Sequence, residues 1–179
     1  MDSSSNGNAR LIYRENLLFN AMKMKLRNLE LKDAPYMLEW MHDDSVVEKM
    51  NTNFRTKTLC DCNQFIIDSK DTSRNLHMAI VDDNDEYMGT VSLKNIEEYR
   101  AEFAITVRKC AMGKGYAQFG MNEIIKIGFE TLGLDNIYWY VNRENERAIR
   151  FYDKCGYQRI QLEQLYERND EYIWYHISR

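Results

Sequence analysis

Residues 117–132 contain the strongest periodic signal in the chain. Seven apolar or small residues recur there at steps of four, three, one, three, one and three, which is the spacing of one face of an α-helix. They are Ala117, Met121, Ile124, Ile125, Gly128, Phe129 and Leu132. Gly133 is placed to end this helix, and strand-like patterns lie on both sides of it, at 99–107 and 137–141. The segment therefore predicts a β-α-β unit, whose two strands run parallel.

The rest of the chain predicts further strands and helices around this unit. Further strands are predicted at 25–31, 77–81, 87–93, 157–165 and 172–177. Further helices are predicted at 34–42, 59–69 and 145–156. The strands at 77–81, 87–93 and 99–107 follow one another closely, so they predict an antiparallel meander. A meander joined to a β-α-β unit indicates an α+β fold with a mixed sheet.

The first 21 residues are not expected to belong to the fold. Their run of serine, asparagine and glycine has too little apolar surface to offset the entropy of ordering. Residues 14–22, RENLLFNAM, resemble a protease-cleavable purification tag followed by a vector-derived Asn-Ala. The alternative is a natural amphipathic extension whose apolar side chains cover a surface patch. Residues 22–179 are then expected to form one domain.

Composition excludes several classes of protein. Twenty-four basic and 28 acidic residues give a net charge of −4, so nucleic acid is not an expected partner. No apolar run approaches the roughly 18 residues needed to cross a bilayer, so no membrane partner is expected. The four cysteines and three histidines follow no metal-ligand spacing, so no metal is expected. Free thiols without a disulfide framework favour the cytoplasm.

The loop before the long helix is the first candidate binding site. Its sequence, Met112-Gly113-Lys114-Gly115-Tyr116-Ala117, lies between a predicted strand and the helix. Glycines let a backbone approach a ligand closely, and successive N–H groups at a helix start favour a phosphate. The alternative is a tight turn that simply needs glycine. The loop lacks both the P-loop pattern and the six-residue dinucleotide fingerprint.

A second motif follows about thirty residues later, at 145–157: NERAIRFYDKCGY. Together, the two motifs and the strand before the first resemble the GNAT superfamily of N-acetyltransferases. The resemblance covers residues 25–179, and Ala101-Glu102-Phe103 is similar to the branch of ribosomal-protein N-terminal and spermidine acetyltransferases. It implies a central twisted mixed sheet of about six or seven strands with flanking helices. Two parallel strands of that sheet are expected to splay apart around acetyl-CoA.

The resemblance implies how acetyl-CoA is held. The backbone amides of Gly113, Lys114, Gly115, Tyr116 and Ala117 are expected to bind the diphosphate. The strand residues Ile105, Thr106 and Val107 are expected to pair with the pantetheine amides. Asn145 matches an asparagine that contacts the cofactor arm, although it is equally suited to cap the helix. Met112 begins this binding loop but departs from the family, which often has Gln or Arg there, so the backbone cradle is expected without a side-chain phosphate contact at this position.

The resemblance also implies two catalytic residues. Tyr152 matches the tyrosine that gives a proton to the departing CoA thiolate, and a phenol with a pKa near 10 is protonated at neutral pH. The alternative for Tyr152 is an amphipathic core residue. Glu102 is the candidate base that takes a proton from the attacking amine. The alternatives for Glu102 are a solvated strand residue, an anchor for a cationic acceptor, and a water relay in its place.

The sequence thus predicts an N-acetyltransferase that moves an acetyl group from acetyl-CoA to a primary amine by direct transfer in a ternary complex. The acceptor is a protein N-terminus, a polyamine or another small amine. The alternatives are an acetyltransferase of nucleotide-linked amino sugars and a non-catalytic acyl-CoA sensor. Either a monomer or a homodimer is compatible with the sequence.

Overall fold

A computed structural model describes residues 23–50, 52–160 and 171–179 of the chain. The predicted tag or leader at 1–21 and part of the strand predicted at 157–165 lie outside the described residues. The strands are β1 (Lys25–Asn28), β2 (Leu76–Val81), β3 (Tyr87–Glu97), β4 (Arg100–Val107), β5 (Asn136–Asn142), β6 (Gln158–Ile160) and β7 (Tyr172–Ser178). The helices are α1 (Ala34–Met41), α2 (Asp44–Val47), α3 (Leu59–Asp68), α4 (Tyr116–Glu130) and α5 (Glu146–Lys154).

The described strands form one seven-stranded mixed sheet in the order β1-β2-β3-β4-β5-β7-β6. Strands β1 to β4 pair antiparallel, which confirms the predicted meander. Strands β4 and β5 pair parallel across α4, which confirms the predicted β-α-β unit. The mixed α+β architecture expected from the sequence is therefore the observed one.

Helices cover both faces of the sheet and bury two apolar clusters. On one face, α4 buries Met121 and Ile124 against β3 residues Val91 and Leu93. Two glycines bring α4 close to the sheet: a Cβ on Gly120 would overlap the Ile80 side chain, and one on Gly128 would lie 2.9 Å from Ile137 Cδ1.

The opposite face carries α1 and α3. Met37 of α1 and Ile66 of α3 are buried there with Ala79 and Tyr87 of the sheet. Ala79 and Ile80 are neighbours in β2, yet they belong to different clusters, because successive strand residues point to opposite faces. The two clusters therefore lie on opposite faces of the meander.

Two acidic side chains, Asp33 and Asp43, shape the chain around α1 and α2. Helix α2 was not predicted, because its four residues are too short to give a helical period. It is capped by Asp43, whose side chain accepts from Ser45 N at 2.9 Å. Asp33 precedes α1 but makes no side-chain cap. Its carboxylate is buried and accepts instead from the Arg27 guanidinium at 2.7 and 2.8 Å.

The two parallel strands separate soon after they begin. Their pairing is limited to three positions, from Arg100 opposite Asn136 to Glu102 opposite Tyr138. Beyond these positions β4 continues to Val107 and β5 to Asn142. On the other side, β4 stays paired with β3 as far as Val107. The edge of β4 that faces β5 is therefore open over residues 103–107, and a gap forms between the carboxyl ends of the two strands.

Candidate active site

A cavity of about 620 Å³ opens where β4 and β5 separate. This volume lies in the range of small-molecule sites in proteins. All the predicted site residues except Tyr116 and Glu102 line it. They are Ile105, Thr106, Val107, Met112, Gly113, Lys114, Gly115, Ala117, Asn145 and Tyr152. The fold thus brings together three parts of the sequence that were predicted separately.

The glycine loop forms one end of the cavity. Gly113 and Gly115 have φ values of +73° and +89°, a left-handed conformation that L side chains rarely adopt. A Cβ built on Gly113 would meet no atom within 4 Å, so the loop surface there is open. Helix α4 begins directly after Gly115, and its first-turn N–H groups lack helical partners. A phosphate group suits this arrangement of open backbone and helix N-terminus.

The side chain of Tyr116 does not belong to this loop surface. It is buried in the apolar cluster under α4 and does not line the cavity. Burial, together with nearby acidic residues such as Asp82, raises the pKa of its phenol. Tyr116 therefore anchors the start of α4, and only its backbone belongs to the predicted phosphate cradle.

Tyr152 projects from α5 into an aromatic cluster beside the cavity. Its ring centroid lies 5.4 Å from that of Trp139 and 5.1 Å from that of Tyr175, and the residue is only 7% exposed. Burial raises its pKa well above the ordinary value, so the phenol stays protonated at neutral pH. Among the described residues its hydroxyl has no hydrogen-bond partner. The packing therefore fixes the ring and leaves the proton uncommitted.

Asn145 caps helix α5. Its side-chain oxygen accepts from Ala148 N at 3.2 Å, so the capping role considered from the sequence is present. Asn145 also lines the cavity. The cap uses the amide oxygen, which leaves the NH₂ group able to donate to a ligand. The two roles weighed from the sequence are therefore compatible.

Glu102 lies outside the cavity, on the sheet face that carries Ala104 and Thr106. Its carboxylate contacts Lys94 Nζ at 2.6 Å and accepts from Asn95 Nδ2 at 3.2 Å. The pKa of Tyr140 is raised mainly by burial and also by the negative charge of the nearby Glu102. Glu102 is thus placed beside the aromatic residues of β5, at the base of the gap.

Arg108 was missed by the sequence analysis. It is only 7% exposed and follows β4 directly, where the chain turns towards the glycine loop. It forms ion pairs with Glu39 of α1 at 2.7 Å and Glu86 at 2.6 Å, and its guanidinium lies 4.5 Å from the Tyr36 ring centroid. These contacts tie the loop to α1 and to the β2–β3 turn. Glu39 is 69 residues away in sequence, so no local pattern indicates the pair.

Other lining residues were also missed, and they lie before β1, in α2 and just after it, after β4, in α4, and in α5 and just after it. They are Met24, Val46, Met50, Ala111, Gln118, Arg147, Ala148, Phe151, Lys154 and Cys155. With Lys114, the residues Arg147 and Lys154 place three cationic side chains around the cavity. A carrier with several phosphate groups fits this charge. Within the described residues no group of three or more His, Cys, Asp or Glu could hold a metal ion.

An open sheet whose parallel strands part over a glycine-lined, cationic cavity is suited to a phosphorylated ligand at the carboxyl ends of its strands. Comparison with known proteins agrees. Residues 23–158 match the family described as Acetyltransferase (GNAT) domain. The chain belongs to this GNAT acetyltransferase family, and it is an N-acetyltransferase.

Two curated relatives are similar over most of the chain. The N-acetyltransferase p20 of Bacillus licheniformis, itself uncharacterized, is 30% identical over 151 residues, which are 82% of this chain and 85% of the relative. The spermidine N(1)-acetyltransferase of Escherichia coli K12 is 30% identical over 145 residues, 77% of this chain and 74% of the relative.

The fold is shared with a solved structure. The spermidine N-acetyltransferase from Vibrio cholerae in complex with CoA and spermine aligns with a TM-score of 0.73 at 20% identity, over 87% of this chain and 95% of that chain.

No helix in the described ranges is long and apolar enough to cross a membrane.

Proposed function

We propose that this N-acetyltransferase uses acetyl-CoA to acetylate a primary amine of a small cationic acceptor, with a polyamine as the leading candidate. The cavity between β4 and β5 is the observation that carries the proposal, because it combines the glycine loop, an open strand edge and Tyr152. The spermidine acetyltransferase among the relatives and the net charge of −4 both favour a cationic acceptor.

The residues around the cavity fit acetyl-CoA. The backbone N–H groups of 113–117 would hold the diphosphate at the start of α4. The open edge of β4 at Ile105, Thr106 and Val107 would pair with the pantetheine amides, as an added strand does. When bound, acetyl-CoA supplies an activated acetyl thioester.

The protein contributes proton transfers and orientation. Tyr152 would donate its proton to the leaving thiolate, since burial keeps the phenol protonated and no described residue engages its hydroxyl. Glu102 would accept a proton from the amine, which must lose it to become a nucleophile. The acetyl group would pass directly to the amine, without a covalent enzyme intermediate.

The sheet face around Glu102 supports a cationic acceptor. Tyr138 and Tyr140 lie on this face of β5, and the Tyr140 ring packs 4.7 Å from the Trp174 ring of β7. Tyr140 is 37% exposed. Aromatic faces next to a carboxylate attract ammonium groups through cation–π and ion-pair interactions. The acceptor would therefore enter the gap from the sheet face that carries Glu102, Tyr138 and Tyr140. Helix α5 lies on the opposite face.

Calorimetry and an acceptor panel test the proposal. We expect acetyl-CoA to bind with micromolar affinity and to release free CoA thiol when a polyamine is added. The panel includes N-terminal peptides and nucleotide-linked amino sugars as the other acceptor classes. Release with one of these alone would contradict the polyamine assignment. Binding without release for any acceptor would favour the sensor alternative, and no binding would refute the cavity as a CoA site.

Two further properties belong to the proposal. All four cysteines are free thiols, which favours the cytoplasm as the site of action. A monomer or a homodimer is expected, and sedimentation equilibrium distinguishes the two. A larger assembly would contradict that expectation.

A further inference from the structure

The guanidinium of Arg147 lies beside the first residue of the glycine loop, in the wall of the cavity. Arg147 is in the first turn of α5 and lines the cavity with Met112, Gly113 and Lys114. Its Nη1 lies 3.2 Å from Met112 Sδ and donates to Ser45 O in α2 at 3.1 Å. These contacts hold a cation directly beside the residue that precedes the predicted phosphate cradle.

In the part of the chain that the structure describes, no carboxylate matches the charge of Arg147. A thioether is a weak acceptor and a backbone carbonyl is neutral, and within the described ranges Arg147 forms no ion pair with a carboxylate. The next arginine of the helix differs: Arg150 pairs with Glu146 at 2.8 Å and does not line the cavity. Arg147 is therefore available to an anionic ligand, whereas Arg150 is already neutralised.

Residues 112–117 of the loop carry one charged side chain, that of Lys114. Met112, at the start of the loop, is apolar and offers no charge to a phosphate, and the rest of the cradle supplies backbone N–H groups. A guanidinium presents several donors in a planar fork that matches two phosphate oxygens. Arg147, from a different helix, lies where a charged side chain of the loop would be useful.

We propose that Arg147 binds the diphosphate of CoA and makes the enzyme select phosphorylated acyl carriers. This inference rests on the proposed function. On binding, the guanidinium would exchange its weak contact with Met112 for charge-assisted hydrogen bonds to phosphate oxygens. The Ser45 carbonyl would keep the side chain directed into the cavity, which gives α2 a positioning role.

The test compares Arg147→Gln with Arg150→Gln, a matched loss of one arginine on the same helix. Calorimetry measures the Kd of each protein for two ligands, CoA and dephospho-CoA. Dephospho-CoA keeps the diphosphate and lacks the 3′-phosphate. We expect Arg147→Gln to raise the Kd of both ligands by roughly 10- to 100-fold. The kcat at saturating acetyl-CoA, and the kcat/KM for acetyl-pantetheine, which has no phosphate, should stay unchanged. Arg150→Gln should bind like the wild type.

Each contrary result has a distinct meaning. An unchanged CoA affinity in Arg147→Gln, while the wild type binds, overturns the inference alone. Weakened binding of CoA but not of dephospho-CoA overturns the diphosphate assignment in favour of the 3′-phosphate. An equal loss with acetyl-pantetheine shows that Arg147 acts only through Ser45 and the fold. Absence of CoA binding by the wild type overturns the proposed function and this inference with it.

Discussion

Replacing Tyr152 by phenylalanine separates its catalytic role from its structural one. The ring of Tyr152 packs against Trp139, Tyr175 and Phe151, and phenylalanine preserves those contacts. The hydroxyl has no hydrogen-bond partner among the described residues, so its removal leaves no buried group unsatisfied. We therefore expect the free energy of unfolding to change by about 0.5 kcal/mol or less.

The expected effect on catalysis is much larger. Loss of a general acid costs roughly 10²- to 10⁴-fold in rate, which corresponds to about 3–5 kcal/mol in the activation barrier. The affinity for acetyl-CoA should stay close to that of the wild type, since the hydroxyl is expected to act on the leaving group. Because burial raises the Tyr152 pKa, the wild-type kcat should show no decline from tyrosine ionisation below about pH 10.

The assay combines urea unfolding, calorimetry and initial rates of thiol release across pH. Tyr157→Phe is the matched control, because Tyr157 also packs on Trp139, at 5.0 Å, and does not line the cavity. It should keep both stability and turnover. Full turnover by Tyr152→Phe would refute the proton-donor role. A loss of stability that matches the loss of rate would show that Tyr152 is a core residue alone.

Three other changes test the site and the fold. Gly115→Ala should weaken acetyl-CoA binding by at least roughly tenfold in calorimetry. The control Gly133→Ala, with a similar strain at φ +69°, should lose only stability. Equal affinities of the two variants for acetyl-CoA would favour a simple tight turn at Gly115. Glu102→Gln should lower kcat/KM roughly 10²-fold, with Glu97→Gln as the control; an unchanged kcat/KM argues against a base. Burial and the Lys94 charge lower the pKa of His77 in the folded protein. The contribution of neutral His77 to the free energy of unfolding is therefore complete above about pH 6.5 and is lost as the pH falls. Urea unfolding should therefore show a flatter decline below pH 6.5 for His77→Gln than for the wild type, and equal slopes would contradict this.

Local patterns in the sequence were sufficient to predict the elements that carry the site. The period of α4 is set by which residues face the sheet, and Gly115 and Gly133 occupy the left-handed positions before and after the helix. The β-α-β unit then requires parallel strands, because its crossover is longer than a hairpin turn. Tyr152 and Asn145 were predicted as site residues because they lie at fixed positions of a motif that resembles a known family.

Contacts between distant segments required the tertiary structure. Arg147 and Ser45 are 102 residues apart, and only the packing of α2 against the start of α5 brings them together. Arg108 and Glu39 are likewise distant in sequence and meet only in the folded protein. The face of the sheet on which Glu102 lies depends on the register of β4. Apart from α2, the sequence by itself determined the helices, the strands and the glycine loop, since each depends on neighbours a few residues away. The extent of the gap between β4 and β5, and the residues that surround it, depend on where two strands stop pairing, and only the packed sheet decides that.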